Sequence, residues 1–372
     1  MPAYIYAILS LLMSLSLLVP GPGIPLTVSP PPQSLPGRNA TVDLGSHNIF
    51  LPVIMLRYSP PLKIGLVTDG GGVNDQGFNQ SAWMGIQKAA ADFGWQAKFV
   101  ESKQMTDFEK NIDAFATEGY DMIITVGFLM GDATAKKALE YPDIKFAIVD
   151  NEYFPAKEGD PDPYIAMKNV TSLMFKEDEA GFLAGVLAGG ITKTGVICSV
   201  SGMEIPPVVR FVKGYQNGAK WMKSDIRTLN VYIPSFVDPE KGKETGLAMI
   251  TQGCDVLFNV GGMTGNGGLM AAQERGIAAI GVDVDQYYTF PAVKEALVSS
   301  AMKNIDVAVY AFLKTVKDNS YKSGVFEGNA GNSGIGLAPF HDWENRVPAN
   351  VKAKIIEATE GLKNGTISTG VP

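Results

Sequence analysis

From Leu62 onward, short uncharged runs alternate with stretches whose apolar residues recur every three or four positions. Ile64 to Thr68 is the first such run and reads as a buried strand that stops at Asp69. A glycine-rich turn follows, and a helix is entered near Phe78. On that helix Phe78, Ala82, Ile86, Ala89, Ala90 and Phe93 share one face, and Asn74 or Asp75 is placed to cap it. The pattern then repeats with AKFVES (97–102), a helix carrying Phe108, Ile112 and Phe115 on one side, MIITV (122–126), a helix over roughly 131–140, and KFAIV (145–149). This last strand ends at Asp150, as the first ended at Asp69. Strands without charges, separated by amphipathic helices, predict a parallel sheet covered on both faces.

Residues 153–166 are rich in Pro, Gly and Asp and read as an exposed loop. A second set of the same kind begins at SLMF (172–175), with a helix capped around Asp178. It continues through GVICSVSG (195–202), a helix near 207–223, VYIPSF (231–236), a helix near 240–252, VLFNVGG (256–262), a helix near 266–275 and AAIGVD (278–283). Residues 299–318 read as one further amphipathic helix, and another is expected around 349–363. The order of elements therefore builds one α/β architecture twice, and in open sheets of this kind ligands bind at the carboxyl ends of the strands.

Ahead of this body, residues 3–19 form an apolar run that reads as a signal peptide or an anchor, with no Lys or Arg before it. Residues 20–61 hold ten of the chain's 23 prolines and read as an extended linker. The chain of 372 residues is 46% hydrophobic with a formal charge of −7, which suits about two globular domains, and no compact basic block suggests nucleic acid as a partner. Cys198 and Cys254 are the only cysteines; both lie in apolar strand-like runs and read as buried unpaired thiols, unless the fold brings them together. With His47 and His341 as the only histidines, a zinc site or a histidine-based dyad has few candidates, and no metal or cofactor is implied.

The glycine clusters at 70–72 and 261–268 match neither the P-loop nor the G-x-G-x-x-G spacing. The charges point the same way. Asp69, Asp75, Asp150, Asp283 and Asp285 gather near strand ends, where carboxylates repel phosphate but accept hydrogen bonds from hydroxyls. Asp283 and Asp285 follow a strand directly, a place from which a carboxylate can hold a sugar cis-diol or simply cap a turn. Phe78 offers a ring to a flat ligand or a core contact to its own helix, and Phe258 reads as a strand-core residue by the same spacing. Lys303 stands between a strand-like run and a helix, as a ligand donor or an exposed base. No G-x-S-x-G or S-x-x-K nucleophile motif is present.

Taken in order, TDGGGVNDQGFNQSAWMGIQKA, FKEDEAGFLAGVLAG, SGMEIPPVVRFVKGYQNGAK, FNVGGMTGNGGLMAA, GVDVDQY and SAMKNIDVAVY resemble the basic membrane protein family, in its purine nucleoside receptor branch. The resemblance runs from about Leu62 to the C-terminus. It implies a two-lobed periplasmic-binding-protein fold of type I, like the ribose-binding protein, each lobe a mainly parallel sheet flanked by helices. Lobe 1 is expected at 62–168 plus about 300–318, and lobe 2 at 169–299 plus about 319–372.

The resemblance further implies an extracytoplasmic, non-catalytic receptor, a monomer that holds a nucleoside between its lobes and presents it to the permease of an ATP-binding-cassette importer. Phe78 and Phe258 would clamp the base, and Asp69 and Asn79 would line the first lobe. Asp150 would accept hydrogen bonds from the ligand, Asp283 would hold the ribose hydroxyls, Lys303 would complete the polar ring, and Gly262 would let the backbone approach. Three features depart from the family: no lipoprotein cysteine follows the apolar run, the loop at 153–166 is longer, and Gly70 to Gly72 leave the first loop barer. The competing readings are a receptor for a free purine base or a flavin, an enzyme that processes nucleosides or glycosides with cleft carboxylates, and a sensor domain held by the N-terminal run.

Overall fold

The computed structural model describes residues 60–153 and 167–372, together with a two-residue antiparallel ladder, Val42–Asp43 with Asn48–Ile49. The expected signal or anchor at 3–19, the rest of the Pro-rich stretch up to residue 59 and residues 154–166 of the long loop lie outside the described residues.

Two six-stranded sheets carry the body of the chain. The first contains β1 (Lys63–Thr68), β2 (Gln96–Glu101), β3 (Met122–Val126), β4 (Lys145–Val149), β5 (Val170–Phe175) and a late strand, β11 (Gly324–Gly328), in the order β11-β5-β4-β3-β1-β2, all parallel. The second contains β6 (Val196–Ser201), β7 (Arg227–Tyr232), β8 (Val256–Val260), β9 (Ala278–Asp283), β10 (Leu297–Lys303) and β12 (Ile335–Leu337). Its order is β12-β10-β9-β8-β6-β7, and only β12 runs antiparallel. The fully buried central strands MIITV and VLFNV show why the sequence reads as it does: a strand covered on both faces has no polar side to alternate with.

Helices α1 (Phe78–Phe93), α2 (Phe108–Thr117), α3 (Gly131–Glu140) and α8 (Ile305–Lys317) flank the first sheet. Helices α4 (Glu177–Ile191), α5 (Pro206–Met222), α6 (Pro239–Thr251), α7 (Gly262–Arg275) and α9 (Ala349–Lys363) belong to the second lobe. The pair α4 and α5 packs backbone to backbone. A Cβ added to Gly185 would fall 2.0 Å from the Tyr215 carbonyl oxygen, and one on Gly218 would fall 2.0 Å from that of Phe182, so only glycine allows this approach. That contact sets the N-terminus of α5, with Arg210 and Phe211, beside the start of α4. Among the described residues no helix is long and apolar enough to cross a membrane.

Three expectations about boundaries need correction. The SLMF run (172–175) is expected to open the second set, with the second lobe starting at 169, but Val170 to Leu173 pair with Phe146 to Val149 in the first sheet. The Pro- and Asp-rich stretch therefore joins two strands of one lobe instead of linking two lobes. Residues 299–318 are not a single helix, because β10 occupies Leu297–Lys303 before α8 begins at Ile305. In the tail, β11 returns to the first sheet although 319–372 was expected in the second lobe. The chain thus passes between lobes three times: at Lys176, at Asn304 and over 329–334. Lys176 N–H donates to the Gly328 carbonyl and Asn304 N–H to that of Gly334, so the three passages are tied to one another.

Cys198 and Cys254 form a disulfide, with Cα atoms 5.9 Å apart, in place of the two free thiols expected. Parallel pairing of β6 with β8 aligns Ile197 with Val256 and so puts the two side chains together near the amino ends of their strands.

Candidate functional site

Strand termini from both lobes converge on one cleft with about 660 Å³ of empty space, counted out to its mouth. From the first lobe, β1 delivers Asp69, the turn after β3 delivers Gly127 and Phe128, and β4 delivers Asp150. From the second lobe, β8 delivers Gly261 and Gly262, β9 delivers Asp283 and β10 delivers Lys303. Asp150 and Asp283 both adopt left-handed backbone, with φ of 67° and 65°. For a residue other than glycine this conformation is uncommon and strained, and here it occurs twice at strand ends that line the cleft.

Asp75 organises the first-lobe rim. Its carboxylate accepts from the backbone N–H groups of Gly77 (3.0 Å), Asn79 (2.8 Å) and Gln80 (3.1 Å), and so starts α1, as the sequence suggested. Phe78 and Asn79 are thereby placed on the cleft. The Asn79 side chain donates to Asp69 (2.8 Å) and Asp75 (3.1 Å), while its own buried oxygen has no donor among the described residues.

A buried ion cluster forms the floor. Lys303 Nζ donates to both Asp150 oxygens (2.5 and 2.6 Å) and to Glu177 Oε1 (2.8 Å), and Arg210 Nε donates to Glu177 Oε2 (2.6 Å). Two cations therefore face two carboxylates. Burial works against Glu177, but Lys303 and Arg210 outweigh it and hold its pKa below the usual value. Burial also works against the Lys303 ammonium, yet Asp150, Glu177 and Asp283 keep its pKa above normal.

The remaining cleft carboxylates have no such partner. Asp283 is 6% exposed and, among the described residues, its carboxylate accepts no hydrogen bond. Burial pushes its pKa up to about 7; Lys303 opposes this, and Asp150, Asp75 and Glu177 add to it. Burial likewise raises Asp75 to about 6 against its three backbone donors, and raises Asp69 against the bond from Asn79. Asp150, buried beside Lys303, lies at about 6.

Aromatic and aliphatic side chains make the walls. Phe78 and Phe128 come from the first lobe and Phe211 and Phe236 from the second. Lys303 Nζ sits 5.1 Å from the Phe78 ring centre and 5.9 Å from that of Phe211, so these two rings look onto the same end of the cleft.

Of the residues singled out in the sequence, Asp69, Phe78, Asn79, Asp150, Gly262, Asp283 and Lys303 all line this cleft. Phe258 does not. It is fully buried in β8, 4.8 Å from the Tyr215 ring and 6.1 Å from that of Phe211, and so braces the Phe211 wall from behind. Asp285, the other diol candidate, accepts from Tyr287 N–H and pairs with His341 Nε2 (2.7 Å), the turn-capping role that had stood as its alternative. Phe211, Phe236, Glu177 and Arg210 were not anticipated. Phe211 sits at helical spacing in VVRFVKGYQ, where a ring reads as core, and Glu177 meets Lys303 only through the crossing of the chain between lobes.

A family model described as ABC transporter substrate-binding protein PnrA-like, Bmp, matches residues 62–368. The chain is 31% identical over 326 residues to the ABC transporter nucleoside-binding protein BmpA of Lactococcus lactis subsp. cremoris, covering 82% of this chain and 88% of that one. It is 32% identical over 268 residues to basic membrane protein A of Borreliella burgdorferi, covering 72% and 74%. Among solved structures, an ABC transporter system solute-binding protein from Aeropyrum pernix K1 matches with a TM-score of 0.74 at 27% identity, over 83% of this chain and 93% of that one. With two mainly parallel sheets flanked by helices and a cleft at their strand ends, the chain belongs to the Bmp family, the PnrA-like substrate-binding proteins of ABC transporters.

Proposed function

We propose that the cleft binds a purine nucleoside and that the protein, a monomer outside the cytoplasmic membrane, delivers it to a permease without altering it. Residues 3–19 would serve as export signal or anchor. The observation that carries the reading is the combination of aromatic side chains lining the cleft from both lobes with an unpartnered Asp283 carboxylate. Rings bury a flat heterocycle, and a desolvated carboxylate without donors of its own rewards a ligand that brings hydroxyls and penalises one that lacks them. The floor cations are already neutralised by Asp150 and Glu177, which leaves no attraction for a phosphate. In this reading Phe78 and Phe211 enclose the base, Asp283 takes the ribose hydroxyls, and Asn79 and Asp69 meet polar groups on the first-lobe side. The name of the Lactococcus relative supports the ligand class.

Calorimetric titration of protein refolded free of carried-over ligand, with inosine, guanosine, adenosine, cytidine, free purine bases and riboflavin, tests this. Purine nucleosides are expected to bind tightly, cytidine and the free bases much more weakly, and inosine to be recovered without released ribose or base. Tight binding of riboflavin or a free base alone would move the ligand, and hydrolysis of inosine would make the protein an enzyme.

Affinity should also depend on pH. If Asp283 accepts hydroxyls as a carboxylate, the ligand must displace its proton below a pKa of about 7. Each pH unit then costs a factor of 10, so inosine should bind up to about 100-fold more weakly at pH 5 than at pH 8. The empty fold runs the other way. A carboxyl whose pKa is raised by folding adds stability that is complete below the unfolded value and is lost as pH rises through about 7. Asp283→Asn should remove most of the pH slope along with most of the affinity; an unchanged slope would assign it to another group.

A further inference from the structure

The glycine-rich loop of the first lobe is gripped by side chains of the second lobe that do not line the cleft. Gln76, in left-handed backbone with φ of 63°, turns its carbonyl toward β9 and the helical turn after it. That carbonyl accepts from Thr289 Oγ1 (2.8 Å) and from Gln286 Nε2 (3.2 Å). Beside it, Asn266 Nδ2 donates to the Asp75 carbonyl (3.1 Å) and to Gln76 Oε1 (3.3 Å).

These donors are held in place before they meet the loop. Gln286 Oε1 accepts from Val282 N–H (3.0 Å) and Asn259 Nδ2 (3.2 Å), and the Gln286 backbone N–H donates to Ser300 Oγ (3.1 Å). Asn266 Oδ1 accepts from both Asn259 Nδ2 (2.9 Å) and Gln286 Nε2 (2.9 Å). Gln286 and Asn266 are 1% and 5% exposed, so their amide groups are buried and directed at the opposite lobe. A buried amide donor is costly to leave unpaired, and when the surfaces part water replaces its carbonyl partner.

We infer that Gln286, Thr289 and Asn266 are positioning residues that latch the closed form of the protein through the Gln76 loop. The inference rests on the reading of the protein as a receptor that closes around its ligand. Both sides of the latch are covalently next to ligand-facing groups. The gripped Asp75 also caps the helix that presents Phe78, and Gln286 lies three residues beyond Asp283, so seating the loop brings the first-lobe ring and the second-lobe carboxylate to the same ligand. None of the latch residues lines the cleft, so the latch acts on how long a ligand stays and not on which ligand is chosen.

The test uses the full chain with spin labels on cysteines introduced at two exposed positions, Gln87→Cys on the first lobe and Lys220→Cys on the second, and inosine as the probe. Thr289→Val keeps shape and removes one donor; Gln286→Met removes the other. In each, inosine should dissociate about 10-fold faster with its association rate unchanged, a difference of about 1.4 kcal/mol. The short inter-lobe distance should be less populated than in the parent. Thr289→Val carries the test if Gln286→Met fails to fold. Unchanged dissociation, or faster dissociation with an unchanged distance distribution, overturns the latch. Should the parent take no nucleoside, the distances alone decide. A loss of the short distance in Thr289→Val then supports the latch while removing the nucleoside reading, and an unchanged distribution overturns the latch as well.

Discussion

Replacing Lys303 by Met should destabilise the protein by about 3–5 kcal/mol at pH 8, the usual cost of leaving a buried charge without its partner. Met keeps the length of the side chain but removes the ammonium that both Asp150 oxygens and one Glu177 oxygen share at the cleft floor. Glu177 retains Arg210, so the orphaned charge is Asp150. The penalty should depend on pH in a defined direction. Asp150 already has a pKa of about 6 with Lys303 in place, and without it burial raises that value further. As pH falls through this range the carboxyl takes a proton and the uncompensated charge disappears. Urea unfolding of parent and variant should therefore show a gap that is widest at pH 8 and narrower by at least about 1 kcal/mol at pH 5. Adding Asp150→Asn to Lys303→Met should recover part of the loss at pH 8. A gap below about 1 kcal/mol, or one equal at both pH values, would mean that water reaches the cluster and screens it.

Removing the disulfide should cost a comparable amount by a different route. Cys198 and Cys254 close a loop of 56 residues, and the chain entropy that this removes from the unfolded state corresponds to about 4 kcal/mol. The denaturant midpoint should fall accordingly in Cys198→Ala/Cys254→Ala and in protein reduced while unfolded. Ligand affinity should stay as in the parent, since the bridge lies at the amino ends of the strands and the cleft at their carboxyl ends. With the two cysteines 0% and 2% exposed, a reductant added to folded protein should leave the bridge intact. Rapid reduction of the native protein, or an unchanged midpoint after its loss, would contradict this account. A structural disulfide also fits the placement outside the cytoplasmic membrane proposed above.

The sequence carries the strand ends of this protein clearly and its long-range pairings poorly. Asp69, Asp150 and Asp283 each follow an uncharged run, so their place at the carboxyl rim of a parallel sheet can be read from local pattern alone. Which lobe a strand joins cannot be read so. The Val170–Phe175 strand looks like any other, and only pairing with Phe146 to Val149 assigns it. The aromatic walls show the same limit from the other side. Phe258 and Phe211 are both rings at core-like spacing, one in a strand and one in a helix. Only the packing of Tyr215 and Phe211 around Phe258 shows which ring faces the cleft. The pairing of Lys303 with Glu177 spans 126 residues and is created by two separate passages of the chain between lobes, so no local signal announces it.

Those passages have a mechanical consequence. Glu177 and Lys303 flank the points at which the chain leaves one lobe for the other, Lys176 and Asn304, and so lie next to the pivot about which such lobes rotate. A group beside a pivot sweeps less arc than one placed away from it. Lys303, Glu177 and Arg210 all belong to the second lobe, so their part of the floor would stay together when the lobes part, whereas the bond from Lys303 to Asp150 crosses between the lobes. In the receptor proposed above, closure would then be the step that brings Asp150 onto Lys303 and completes the neutral floor.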